Sequence, residues 1–445
     1  MSDIPSTDTS MDAPAQPSRR KMLAGVAALG AGLAAAQSAR AADTSSTAAA
    51  DEGQVTDAPH HLFNDDRIPY LGKHQAGIVT PRPLAGMIAS FYVLAQDRKE
   101  LERLLRGLTE RIAFLTQGGR VPELDPKLPP FDSGILGPDV SPDGLTMTVA
   151  LGADMFDEKR YGLSAVKPAR LKNMGAHPND ALDASLCHGD LSIQFCANTP
   201  DKNIHALRDI IKQFPDLLVL HWKQEGSVPP APEVPGQRPG SARNFLGFRD
   251  GSANPDAHDA AEMDRIVWVG PDDKDEPEWA HGGTYQAVRI IRNFVERWDR
   301  TPLGEQEAIF GRRKDTGAPL DGGKTEHDVP DYSKDPHGKV TALDSHIRLA
   351  NPRTKESRQH LMLRRPFNYS NGVTKSGQLD MGLLFICYQA DLDKGFIAVQ
   401  RMLDGEPLEE YIKPVGGGFF YVLPGIRDEQ DWLGRGLMMA SANTA

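Results

Sequence analysis

Cysteine is scarce in this chain. Its 445 residues include three, Cys187, Cys196 and Cys387, and no two form a C-x-x-C pair. An odd, widely spaced set excludes a disulfide framework or a zinc ribbon as the source of stability. Cys196 and Cys387 stand in apolar, strand-like runs and read as buried core thiols. Long basic runs are also missing, and the formal net charge is −11, so nucleic acid is not an expected partner. No apolar run is long enough for a spanning helix, so no membrane span is expected. The 13 histidines include no H-x-x-x-H or H-E-x-x-H spacing. A metal site built on a single helix is therefore excluded.

The N-terminus carries more information. Ser18-Arg19-Arg20-Lys21-Met22-Leu23 precedes an Ala/Gly/Leu-rich run from Ala24 to Ala36, and Ala39-Arg40-Ala41 has the small-x-small form of a cleavage site. The pattern matches a twin-arginine (Tat) export signal over 1–41 and implies a periplasmic location. That route carries folded proteins, often with a cofactor already in place, which favours a cofactor enzyme. Residues 42–66 are rich in Ala, Ser, Thr and Asp with no apolar period, and read as a flexible linker.

From Leu84 the pattern becomes structured. Leu84–Leu94 has strand length and composition. Asp97 stands where a helix N-cap belongs, and Leu101, Leu104, Leu105, Leu108, Ile112 and Leu115 recur at helical spacing up to Gly118. Leu145–Leu151 and Leu191–Cys196 alternate as half-buried strands, 204–214 is helical, and Leu217–Trp222 is a further strand. The order β-α-β-β-α-β is that of a ferredoxin-like unit. A Pro/Gly-rich stretch from Pro229 to Gly240 separates it from a second half with strands at Tyr285–Ile291, Met381–Tyr388 and Phe419–Leu423. Helical stretches are expected near 294–298 and 393–403. Met381–Tyr388 is apolar on both faces, as a central strand is. Gly311–Val340 is polar and reads as a long surface insertion. The fold class is α+β, with an N-terminal domain over 67–240 and a C-terminal one over 241–445.

Three segments hold the candidate chemistry. Gly247-Phe248-Arg249-Asp250-Gly251-Ser252-Ala253-Asn254-Pro255 places two charges between small residues that allow close backbone approach. Asp344-Ser345-His346-Ile347-Arg348-Leu349-Ala350-Asn351-Pro352-Arg353 carries a histidine, and Leu361-Met362-Leu363-Arg364-Arg365 carries two arginines. Composition alone selects none of these from the other acids, histidines and arginines.

Taken together, the segments resemble the dye-decolourising peroxidase family. G-F-R-D-G-S-A-N-P is similar to its G-x-x-D-G loop, D-S-H-I-R-L-A-N-P-R to its proximal-histidine segment, and L-M-L-R-R to the segment with its distal arginine. G-Q-L-D-M-G-L-L-F-I-C-Y-Q and P-V-G-G-G-F-F also resemble the family, and with the export signal the nearest likeness is to the EfeB-type (deferrochelatase/peroxidase) branch. The resemblance implies two ferredoxin-like halves and one haem b per chain in the C-terminal half. It implies His346 as axial iron ligand, with Asp250 and Arg364 as the distal catalytic pair. Gly251, Ser252, Ala253, Asn351, Pro352, Arg353 and Arg364 are then expected against haem. An acidic residue should hold the other ring nitrogen of His346; Glu410 is the candidate and Glu409 the alternative. Peroxide and a small organic donor (a dye, a phenol, a porphyrinogen) are the implied substrates. The branch's link to ferrous-iron uptake brings release of iron from haem, uptake-system components and a homodimer into view. A distal carboxylate, titrating lower than imidazole, implies an acidic working pH.

Overall fold

In the computed structural model, the alternating segments become strands whose two faces go to different cores. The structure describes residues 66–157, 159–230 and 240–442. The export signal expected over 1–41 and nearly all of the expected linker lie outside the described residues.

The first half runs β1 (Ala85–Val93), α1 (Arg98–Gln117), β2 (Thr146–Gly152), β3 (Leu191–Ala197), α2 (Pro200–Gln213) and β4 (Leu218–Ser227). α1 begins where the sequence places it. The Asp97 side chain accepts from the Glu100 amide at 2.9 Å, satisfying one of the free N–H groups of the first turn. Its six expected apolar residues are all buried. The second half runs β5 (Thr284–Asn293), α3 (Leu303–Phe310), α4 (His346–Ala350), β6 (Phe367–Val373), β7 (Leu379–Gln389), α5 (Ala398–Leu403) and β8 (Ile412–Val422), followed by α6 (Arg435–Ala442). The helix expected over 393–403 begins as a π turn at Asp393–Ile397 before α5. α6 was not expected from the sequence.

Each half has the ferredoxin-like strand order, β2-β3-β1-β4 and β8-β5-β7-β6, with all pairings antiparallel. The α+β class and the two ferredoxin-like halves follow. β8 pairs with β2 and β4 with β6, so the two sheets join into one closed ring. Closure explains one departure from expectation. β2 and β3 are buried on both faces rather than one. Met147, Val149, Ile193 and Phe195 pack outward against α1 and α2, while Ala150 and Cys196 turn inward beside Ile290, Leu384 and Phe420. Several inward polar groups find partners: Thr148 donates to Ala76 O at 2.7 Å, Gln194 to Gly77 O at 3.0 Å, and the Tyr388 hydroxyl to Gln194 at 2.6 Å, whereas the Thr146 and Ser192 hydroxyls are buried without one among the described residues. The three cysteines are free and buried. Among the described residues no helix is long and apolar enough to cross a membrane.

The stretch 311–340 is not only a surface insertion. Arg312, Glu326 and Asp335 within it are buried, because it folds back onto the loop that carries Asp250.

Candidate active site

In the second half, a cavity of about 270 Å³ lies against the outer face of the sheet. Ile291 of β5, with Leu383 and Phe385 of β7, forms one wall, and Phe396, Val399 and Leu403 face it. This is the space between sheet and helices that α1 and α2 fill in the first half.

His346 opens α4 and lines the cavity, with 30 % of its side chain accessible. Its Nδ1 is 2.7 Å from Glu406 Oε2. A carboxylate can only accept, so Nδ1 carries the proton and the Nε2 lone pair is left unused. Burial lowers the imidazole pKa, but the charge and hydrogen bond of Glu406 outweigh it, and the net shift is upward. The Phe310 ring meets the imidazole edge-on, with centroids 5.8 Å apart. The expectation for the acidic partner is corrected here. Glu410 is exposed at the end of the turn Pro407–Glu410, and only its backbone oxygen is engaged, by Arg297 at 3.0 Å. Glu409 turns back to the Gly405 amide. Glu406 is 5 % exposed and stands just before that turn, which points its side chain at the ring.

Asp250 and Arg364 line the same cavity. The loop before Asp250 is held by Asn244, whose side-chain oxygen accepts from the Leu246 and Phe248 amides, both at 3.1 Å. The Asp250 amide bonds to Ala242 O at 2.8 Å. Gly251 has φ +151°, and a Cβ there would lie 2.9 Å from the Ser241 hydroxyl, so both conformation and space require glycine. Arg364 Nη1 donates to Asp250 Oδ1 at 2.6 Å, a short charge-assisted bond. Asn254 clips the two segments together. Its Oδ1 accepts from the Arg364 amide at 2.8 Å, and its Nδ2 donates to the Arg364 carbonyl at 3.0 Å. Glu326, from the insertion, accepts from the Ser252 hydroxyl at 2.7 Å and the Ser241 amide at 2.9 Å. Burial raises its pKa, but these bonds and Arg249 hold it below the ordinary carboxylate value. Arg365 turns away and donates to Thr80 O and Pro81 O.

Of the residues singled out in the sequence, Asp250, Gly251, Ser252, Ala253, His346, Asn351, Arg353 and Arg364 all line this one cavity. Pro352 does not: it sits between Asn351, which is extended, and Arg353, which turns left-handed at φ +59°, and its ring is off the cavity wall. Sequence reasoning missed Glu406, Asn254 and Glu326. Asn254 stood inside the quoted loop motif, whereas Glu406 and Glu326 carried no local signal.

The donor set suits haem: a mostly apolar slot, one imidazole with a free nitrogen, and guanidinium groups from Arg353 and Arg364 for carboxylate or peroxide oxygens. The comparisons agree. Residues 75–227 match the family model described as Dyp-type peroxidase, N-terminal, and residues 241–427 the C-terminal one. A protein named Deferrochelatase from Escherichia coli O6:K15:H31 is 56 % identical over 425 residues, covering 95 % of this chain and 97 % of the relative. One of the same name from Shigella sonnei is 55 % identical over the same shares. Among solved structures, a DyP-type peroxidase from Cellulomonas bogoriensis is 35 % identical at a TM-score of 0.73, covering 84 % of this chain and 98 % of that one. Ferric DtpA from Streptomyces lividans is 32 % identical at 0.74, covering 86 % and 100 %. With both halves matched in order and relatives more than half identical along nearly their whole length, this chain belongs to the Dyp-type peroxidases, a family of haem enzymes.

Proposed function

We propose that in this haem peroxidase His346 would hold the haem iron and that Asp250 and Arg364 act together on the peroxide. The observation that carries this reading is two bonded pairs lining one cavity: Arg364 on Asp250 at 2.6 Å, and Glu406 on His346 at 2.7 Å. Haem, when bound, supplies the redox-active iron that gives electrons to peroxide and regains them from an organic donor. The Asp250 carboxylate takes a proton from one peroxide oxygen and passes it to the other, which leaves as water. The Arg364 guanidinium offsets the negative charge that grows on the departing oxygen. Glu406 keeps the proton on Nδ1, so Nε2 remains the free base, and it makes that nitrogen a stronger donor. Gly251, Ser252, Ala253, Asn351 and Arg353 would border the haem. The test is a peroxide titration of the haem-loaded protein with a dye or phenol present. Stoichiometric peroxide use with donor oxidation supports the reading, and a Soret band indifferent to peroxide overturns it.

A pH dependence follows from His346. A proton and iron compete for Nε2. Because the pKa is held above 6.5, haem uptake by the haem-free protein should strengthen as pH rises through that raised value. The same raised pKa means the His346–Glu406 ion pair stabilises the haem-free protein fully below the ordinary imidazole pKa. That contribution is lost as pH rises through the raised one. Glu406→Gln keeps an acceptor but removes the charge. It should weaken haem affinity roughly 10–100-fold and shift the uptake curve to lower pH, read by Soret titration.

A second reading is release of iron from haem, favoured by relatives that bear the name Deferrochelatase. Product analysis separates the two, since metal-free porphyrin marks iron release and oxidised donor marks peroxidase turnover. The Ser18–Leu23 segment supports Tat export to the periplasm, where components of an iron-uptake system or a second copy of this chain would be partners.

A further inference from the structure

A second cavity, of about 230 Å³, lies behind the Asp250–Arg364 pair. It shares Asp250, Gly251 and Arg364 with the first, and the exposed Pro81 and His258 form its outer end. Three guanidinium groups line it, from Arg82, Arg364 and Arg365, against the single carboxylate of Asp250. That carboxylate is already bound to Arg364. Arg365, 5 % exposed, donates to the neutral carbonyls of Thr80 and Pro81. Arg82 donates to Pro366 O at 2.7 Å. Among the described residues no carboxylate lies within ion-pair distance of Arg82 or Arg365. Three positive charges thus share one carboxylate at this chamber, and that carboxylate is bonded to Arg364.

The charges act on one another. Burial, with the repulsion of Arg365 and Arg364, pushes Arg82 down to about 10, although Asp250 pulls it the other way. Cations crowded in a poorly solvated space gain from an anion more than exposed ones do. A planar guanidinium also matches a carboxylate in shape, because two N–H groups can meet two oxygens.

We infer that this chamber binds a small monocarboxylate anion between Arg82 and Arg364. The chamber has room for an anion such as formate or acetate with water beside it, and its three guanidinium groups favour an anion over a neutral guest. A carboxylate here competes with Asp250 for Arg364 and so restrains peroxide cleavage from behind the haem site. The binding stands on the chamber alone, and only the effect on turnover rests on the roles proposed for Asp250 and Arg364.

The experiment titrates sodium formate into the haem-loaded protein by calorimetry at constant ionic strength, with formamide as the uncharged isostere. Wild type should show saturable binding of formate and none of formamide, with the Soret band unmoved. Arg82→Gln should weaken binding roughly tenfold or more, the scale of one lost charge-assisted hydrogen bond. Arg82→Lys should restore much of it, and an unchanged Soret band in both variants shows that they are folded and loaded. Formate should slow peroxide turnover in wild type and not in Arg82→Gln. Absence of saturable binding, equal binding in Arg82→Gln, or a Soret shift on binding that places the anion at the iron would each overturn the inference. Arg82-dependent binding without any effect on turnover supports the site and counts against the roles given to Asp250 and Arg364.

Discussion

A His346→Ala protein is expected to purify almost free of haem, with the Soret absorbance lost relative to the protein band. Two histidines line the cavity, His346 and His360, so the substitution discriminates between them. His360 is the weaker candidate: its Nδ1 meets a neutral carbonyl, that of Lys394 at 2.6 Å, rather than a carboxylate, and its Nε2 lies 3.5 Å from the Gln359 amide. His346 has the Glu406 carboxylate at 2.7 Å and a free Nε2. His360→Ala should therefore keep its haem. Loss of haem from His360→Ala, or an unchanged histidine-ligated spectrum in His346→Ala, would sink the proposal that His346 holds the iron. Alanine at 346 also strands the buried Glu406 carboxylate, at a cost of about 1–3 kcal/mol. The double variant His346→Ala/Glu406→Gln removes that charge. If it regains thermal stability but not haem, ligation rather than folding is what was lost.

How legible this site was depends on where each contact is made. The N-cap at Asp97 and the buried stripe of α1 are local, fixed by the identities of residues within a few turns, and the sequence shows both. The strands were legible too, yet the burial of their polar faces was not. Thr148 and Gln194 look solvent-facing until the ring closes and gives them Ala76 O and Gly77 O as partners. The choice of His346 from 13 histidines came from the family motif, not from chemistry. Its carboxylate partner lies 60 residues away and is brought in by the turn before Pro407. No spacing rule separates Glu406 from Glu409 or Glu410, and the reading of Glu410 failed for that reason. Glu326 was hidden for a related reason: a polar stretch reads as solvated unless the loop it buttresses is known.

Asp250→Asn and Arg364→Leu are each expected to slow the reaction with peroxide by about 100-fold or more at equal haem loading, measured by stopped-flow at the Soret band. A positioned acid–base group contributes about 10²–10⁴. A fixed donor to developing negative charge contributes about 10²–10³. Both variants should still load haem. The Asn254 clip engages the Arg364 main chain, so it survives loss of the side chain. Asn at 250 retains an oxygen for Arg364 and the same shape, and the Asp250 amide stays tied to Ala242 O. The two residues share a 2.6 Å bond, so their effects should not multiply. Removing Arg364 frees Asp250 to move as well as removing a charge, and removing the carboxylate takes away the anchor that aims the guanidinium. The double variant should therefore be close to the slower single variant. Fully multiplicative losses would mean that the residues act independently and the short bond has no part in catalysis. Unchanged peroxide rates in both single variants would remove Asp250 and Arg364 from the mechanism altogether. Arg364→Lys separates charge from shape. It keeps a cation but loses the planar fork, so a rate near that of Arg364→Leu assigns the effect to the guanidinium's aim, and a rate near wild type to its charge alone.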